Sequence, residues 1–299
     1  MIHHLKSKPK NHMAKLSFTE HNTQSNIDRS VFRDAVLFLL NRMNTELMLL
    51  SKSSKLLTGS QFRVATALCM TACQTGTNIS RLVDPISLCS KDALPLARTF
   101  YESCLNACWH LADDGQHASK SELYTVYKSY KTQKQHYSLG KTSGFIEREP
   151  KMDRNLPIVQ RAINTFEPNG SSSKVKKCFD ITRAQMLNEV GEVSRFSAIL
   201  LEGCENMNWE NASEIAHGSF YGFELLQAKN RSSVDPFAHI ENFIVTNASY
   251  VVVACADAVA RMARAKVTNL SNAKHVSDAA KLFYQEEIPE LAEKIETLS

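Results

Sequence analysis

Apolar residues recur at every third or fourth position along most of this chain, which is the spacing of helices with one buried face. The chain contains only 10 Gly and 8 Pro, and this scarcity favours long helices over many short strands. We predict an all-α, antiparallel multi-helix bundle of seven to nine helices. The predicted helices cover residues 26–54, 61–83, 84–115, 118–140, 156–166, 182–207, 209–230, 233–267 and 272–297.

The pattern also predicts the division of the chain. Residues 1–25 are rich in lysine and histidine, have no apolar periodicity and lack the apolar stretch of a signal peptide, so we expect a disordered basic tail. Residues 26–299 are expected to form a single helical domain. An irregular excursion at about 139–181, which contains EPNGSSSKVKK, interrupts it.

Composition narrows the class of protein. The formal net charge of +4 is too small to indicate a nucleic-acid partner by itself. The eight cysteines contain no C-x-x-C pair, so we expect reduced thiols, a cytoplasmic protein and no cofactor or metal. The longest apolar stretch, residues 242–260, is interrupted by Asn247, Ser249 and Asp257, so we predict a buried helix and no membrane partner.

Two features that could suggest chemistry have a simpler interpretation. Cys104 and Cys108 share a helical face from which His110 points away, so buried structural thiols are expected in place of a metal site. Tyr124, Tyr127, Tyr130 and Tyr137 form a stripe at helical spacing. Nucleic-acid bases could stack on such a stripe, but a half-buried packing face is the favoured interpretation.

The helix LPLARTFYESCLNACWHLADDG carries three polar residues in one line, namely Arg98, Glu102 and Asn106. The rest of this helix is apolar, so we expect the line to be buried. A buried arginine is costly unless a carboxylate neutralises it, and Glu102 lies one helical turn away.

The stretch NASEIAHGSFYG is the predicted second half of the same site. Ser213 and His217 are one turn apart, and Gly218 and Gly222 allow a close approach of a neighbour. A histidine can change charge near neutral pH. If the two helices touch, a polar pocket forms inside the bundle.

These two motifs resemble those of a bacterial family of helical proteins of unknown function. That family has an Arg-x-x-x-Glu-x-x-x-Asn helix followed by a later Ser-x-x-x-His helix. It is similar, more distantly, to the HEPN group of helical bundles, many of which are dimeric, metal-independent ribonucleases with an arginine shortly before a histidine in one helix. Here no arginine precedes a histidine at that spacing, so Arg98 and His217 would have to meet from separate helices.

Three functions stay open at this point. The first is an uncharacterised cytosolic protein whose internal pocket binds a small ligand or RNA in a defence or stress context, with Asn106, Ser213 and Tyr101 as ligand-binding residues. The second is a HEPN-like ribonuclease, possibly homodimeric, in which Arg98, Glu102 and His217 are catalytic. The third is a structural interaction protein whose polar cluster sets the helix register.

Overall fold

The computed structural model describes residues 58–83, 88–131, 133–140, 142–148, 152–168, 177–218 and 236–266, together with Leu37, Leu40, Asn41 and Met43. Helices dominate these residues, which confirms the predicted all-α bundle. The α-helices are α1 (Gly59–Val83), α2 (Ala93–Ala112), α3 (Gln116–Tyr130), α4 (Pro157–Phe166), α5 (Arg183–Val193), α6 (Arg195–Ala216) and α7 (Pro236–Lys266). The predicted tail at 1–25 and the predicted helix at 272–297 lie outside the described residues.

Helix α2 lies at the centre of the main core and packs against α1, α5, α6 and α7. Its buried apolar residues point in nearly every direction, so this one helix can pack against several neighbouring helices. Phe100, Tyr101 and Trp109 are its largest buried side chains. Burial of each such aromatic side chain contributes about 1.5–3 kcal/mol to stability.

A second, smaller core joins α3 to α4. It consists of Leu123, Tyr127, Ala162 and Phe166, with Tyr124 packed against its edge. The Tyr127 hydroxyl donates to Glu167 at 2.6 Å, and the Tyr124 and Phe166 rings meet edge to face. The interpretation of the tyrosine stripe as a packing face is therefore confirmed for Tyr124 and Tyr127.

Two antiparallel strands follow α3, where a continuous helix over 118–140 was predicted. The helix ends at Tyr130, and β1 (Gln133–Leu139) pairs with β2 (Thr142–Arg148). Gly140 has a φ of 60° and begins the two-residue turn between the strands. Such turns need positive φ at their first central residue, so this glycine allows the hairpin to close. The prediction of a helix to residue 140 was wrong.

Other helix boundaries also differ from the predictions. Within the predicted helix 84–115, Leu88–Asp92 form a 3-10 helix in which the Ser90 hydroxyl donates to the Leu82 carbonyl at 2.6 Å, and α2 begins at Ala93. Thr182 caps α5 through a capping box with Gln185. The predicted helix 182–207 is broken at Ser194, whose hydroxyl accepts the Ser197 N–H and starts α6. The predicted break at residue 208 is absent, because α6 continues to Ala216.

One segment in the described part of the chain, Phe243–Ala263, is long and apolar enough to cross a membrane. It belongs to α7, and 78% of its most apolar window is buried inside the bundle. That burial is what the core helix of a soluble protein shows, in agreement with the prediction for residues 242–260.

Candidate functional site

The predicted polar line lies on the one open face of α2. The Arg98 Nε lies 3.5 Å from the Glu102 Oε1, and the side chains are 25% and 45% exposed. The Asn106 side chain donates to the Glu102 carbonyl oxygen at 2.7 Å. The line was expected to be buried, and this expectation was wrong, because all three positions are half-exposed. An exposed ion pair of this kind contributes about 0–1 kcal/mol.

Tyr101, predicted to bind a ligand, instead connects three helices. Its hydroxyl donates to Glu205 Oε2 at 3.0 Å, and Arg183 Nε donates to the other oxygen of the same carboxylate at 2.6 Å. Burial and the negative charge of Glu205 raise the pKa of Tyr101 far above its ordinary value. The phenol therefore stays protonated and ties α2 to α6, while Arg183 ties α5 to the same carboxylate.

Ser213 and His217 lie at the end of α6. The His217 N–H donates to the Ser213 carbonyl at 3.0 Å, and His217 is exposed at the C-cap position. His217 was expected inside a helix that covers 209–230, and this expectation was wrong because α6 ends at Ala216.

The described contacts do not bring the two halves of the predicted pocket together. Helices α2 and α6 are antiparallel, since Tyr101 contacts Glu205 while the Leu94 carbonyl contacts Asn208. At 1.5 Å per residue, this register separates the levels of Arg98 and His217 by roughly 15–20 Å along the bundle. His217 thus lies beyond the start of α2, whereas Arg98 lies within it.

A different polar region occupies the corner between α2 and α3. The last carbonyl oxygens of α2 have no partner within the helix, and two side chains from other helices satisfy them. Lys266 Nζ donates to the carbonyls of Ala112 and Asp113 at 2.9 and 2.8 Å, and Gln61 Nε2 donates to those of His110 and Asp113 at 3.3 and 2.8 Å. The cation also matches the negative end of the α2 dipole.

Asp113 shapes the turn that leads into α3. Its carboxylate accepts the backbone N–H groups of Gly115 at 2.9 Å and His117 at 2.7 Å. Gly115 has a φ of 102°, and a Cβ at this position would lie 2.5 Å from the Thr58 hydroxyl. Only glycine satisfies both the backbone angle and the close approach of α1.

An aromatic cluster lies beneath this turn. The His117 ring stacks on Trp109 with 4.0 Å between centroids, and Phe179 meets the Trp109 ring edge to face at 4.7 Å. The two ring nitrogens of His117 face different carboxylates, with Nδ1 3.5 Å from Asp113 and Nε2 3.8 Å from Glu189. His117 therefore links α3 to the turn and to α5, so its ring has a structural role.

His110 is the most strongly perturbed histidine of this corner. It is buried, and its Nε2 lies 3.3 Å from the Ser121 hydroxyl, while its Nδ1 has no hydrogen-bond partner within the described part of the chain. Burial, together with the nearby His117, lowers the pKa of His110 to about 4. The ring is therefore neutral at physiological pH.

A groove of about 460 Å³ opens along α3, next to the aromatic cluster. Helices α3 and α4 form its two walls, the turn after α2 closes one end, and Leu123 lines part of it. The polar side chains of the lining come from three separate parts of the sequence: Thr58, Asp114, Ser119, Lys120, Arg161 and Thr165. The volume falls in the range of about 300–1,000 Å³ that is typical of small-molecule sites.

Charge in the groove is unbalanced. Lys120 and Arg161 face it from opposite walls, and Asp114 is at the end formed by the turn. Neither cation forms an ion pair with a carboxylate of the described residues. The Lys120 ammonium instead lies 4.9 Å from the centre of the Phe179 ring, on the side of the aromatic cluster.

The fold and the groove together define the class of this protein, which is an all-α bundle with a basic groove at a corner between helices. No protein-family model matches the chain, and comparisons with curated proteins and with solved structures find no match. The resemblance to a bacterial helical family therefore stays a prediction. Sequence reasoning missed the groove, because Arg161 and Lys120 are ordinary surface cations until α4 folds onto α3.

Proposed function

We propose that this protein binds a small anionic molecule in the groove between α3 and α4. The observation that carries the proposal is the presence of Lys120 and Arg161 on opposite walls of one concavity, without carboxylate partners among the described residues. A bound anion would neutralise two charges at once. Lys120 and Arg161 are exposed, so each contact with an anion contributes about 1 kcal/mol or less, and we expect an affinity near the millimolar range.

One further feature supports an anion. The Ser119 hydroxyl lines the same groove and can donate a hydrogen bond. The hydroxyls of Thr58 and Thr165 line it too, but they already donate to Gln61 Oε1 at 3.4 Å and to the Arg161 carbonyl at 2.8 Å.

Binding is also the function that the geometry supports best among the three predicted from the sequence. The ribonuclease alternative needs Arg98 and His217 around one phosphate, and the register of α2 and α6 separates them. The tie between Tyr101, Glu205 and Arg183 favours a structural role for that part of the bundle. The cysteines form no disulfide, which supports the cytosolic location that we propose.

Isothermal titration of the full chain with inorganic phosphate and with citrate at low ionic strength tests the proposal. We expect heat of binding for at least one anion, and we expect the double variant K120Q/R161Q to lose it. Lys128→Gln is the matched control, because Lys128 is an exposed cation on the same helix that lies against Tyr124 outside the groove. Equal binding by the double variant and the wild type would show that the groove is not the site.

A further inference from the structure

The groove separates opposite charges, and this separation limits the ligand class. Asp114 lies in the turn before α3, whereas Lys120 lies one turn and more into the helix. The step from Gln116 to Lys120 alone covers about 6 Å along the helix axis. An anion bound at Lys120 therefore has room to extend toward Asp114. The part of the ligand that reaches Asp114 must donate a hydrogen bond to the Asp114 carboxylate.

Lys120 and Arg161 can both contact one compact anion, because they line the two walls of the same groove. The end of α3 packs against the end of α4, where Tyr127 contacts Phe166 and Glu167. Ser119 is beside Lys120 on the facing wall. A planar guanidinium, an ammonium and a hydroxyl are the donors that phosphate groups favour in proteins.

From these observations, and resting on the proposed anion-binding function, we propose that the ligand is a small phosphate monoester of a hydroxyl-bearing molecule. Its phosphate is held by Lys120 and Arg161, and a hydroxyl of its organic part donates to Asp114. The groove of about 460 Å³ has room for one molecule of this size.

The test compares ribose 5-phosphate, inorganic phosphate and ribose on the full chain by isothermal titration. We expect ribose 5-phosphate to bind about tenfold more tightly than inorganic phosphate, as one added hydrogen bond to a carboxylate allows. Asp114→Asn should reduce that preference to about twofold or less, since a neutral amide accepts a weaker hydrogen bond than a carboxylate. Phosphate itself should bind at least as tightly as before, because a nearby negative charge is removed. Lys128→Gln should leave all three affinities unchanged.

Each other outcome is informative. If inorganic phosphate and ribose 5-phosphate bind equally in the wild type, the ligand class is wrong while the anion-binding function stands. If no anion binds, both proposals fail. If a 5′-phosphorylated oligoribonucleotide binds much more tightly than ribose 5-phosphate, and this binding also needs Arg161, the partner is RNA and the small-molecule class is wrong.

Discussion

The indole N–H of Trp109 donates to the carboxylate of Glu189 at 2.6 Å. This bond joins the central helix α2 to α5, and the same oxygen lies 3.8 Å from the Nε2 of His117 on α3. One carboxylate thus connects three helices at the corner that carries the groove. Trp109 is 2% exposed, so its indole N–H depends on Glu189 as its acceptor.

Removal of this acceptor should destabilise the fold. We expect Glu189→Ala to lower the free energy of unfolding by about 1–3 kcal/mol, because the buried indole N–H loses its partner. Urea denaturation followed by tryptophan fluorescence measures the change. Glu192→Ala is the matched control on the same helix, since Glu192 is exposed and should change stability by less than about 0.5 kcal/mol. Equal losses for the two variants would contradict the structural role of Glu189.

His110 should make the stability of the protein pH-dependent. Its pKa is about 4 in the folded state, against an ordinary value of 6.5, so the unfolded chain binds more protons between these values. The stabilisation from neutral His110 is complete above about pH 6.5 and is lost progressively as the pH falls toward 4. We expect a loss of about 2 kcal/mol between pH 7 and pH 5 from this group.

The test of this effect is urea denaturation at pH 7 and pH 5 for the wild type and for His110→Gln. Glutamine can still reach the Ser121 hydroxyl but does not titrate, so the variant should lose less stability than the wild type on acidification. Because other carboxylates titrate in both proteins, only the difference between them is informative. An identical pH dependence would show that His110 is not the responsible group.

The core of the fold could be predicted because helical periodicity encodes it. Apolar spacing located α1, α2 and α7, and the predicted start of a helix at residue 182 is within one residue of the start of α5 at Arg183. The hairpin after Tyr130 could not be found in this way. Its residues QKQHYSL are polar and weakly patterned, and only Gly140 indicates the turn. The break at Ser194 also has no apolar signature, since the periodicity continues on both sides of it.

The candidate site was harder to predict than the fold. The sequence showed that Arg98 and Glu102 share a face, and the ion pair between them is confirmed. It could not show which face of α2 stays open, because that depends on how many helices surround it. Whether Arg98 and His217 meet is a matter of tertiary register, which no local pattern encodes. The groove depends likewise on the packing of α4 against α3.

Thiol reactivity offers a further check on the packing. Cys89 is exposed in the 3-10 helix, whereas burial raises the pKa of Cys73 to about 11 and the pKa values of Cys69, Cys108 and Cys255 further still. Since the thiolate is the reactive form, we expect Cys89 to give the fastest phase with an aromatic disulfide reagent at pH 8. Cys89→Ser should abolish that phase, and Cys178→Ser should leave it intact.

The close contact between α6 and α7 gives the sharpest packing prediction. A Cβ at Gly203 would lie 2.6 Å from the hydroxyl oxygen of Tyr250, whose ring is 2% exposed. Overpacking of a buried contact costs about 1–3 kcal/mol, whereas alanine gains about 1 kcal/mol over glycine in a helix. We therefore expect Gly203→Ala to be neutral to destabilising by about 2 kcal/mol, measured by urea denaturation.

Two variants separate the effect of this contact on stability from the effect of the helix propensity of alanine. Gly191→Ala on α5 places its Cβ at an ordinary 3.4 Å from Ala198, so it should stabilise the protein by up to about 1 kcal/mol. In a Tyr250→Phe background the hydroxyl that meets the new methyl is gone, so Gly203→Ala should become as favourable as Gly191→Ala. If Gly203→Ala lowers the free energy of unfolding as much in the Tyr250→Phe background as in the wild type, the loss of stability does not come from the Tyr250 hydroxyl. The packing of α6 on α7 then differs from that described.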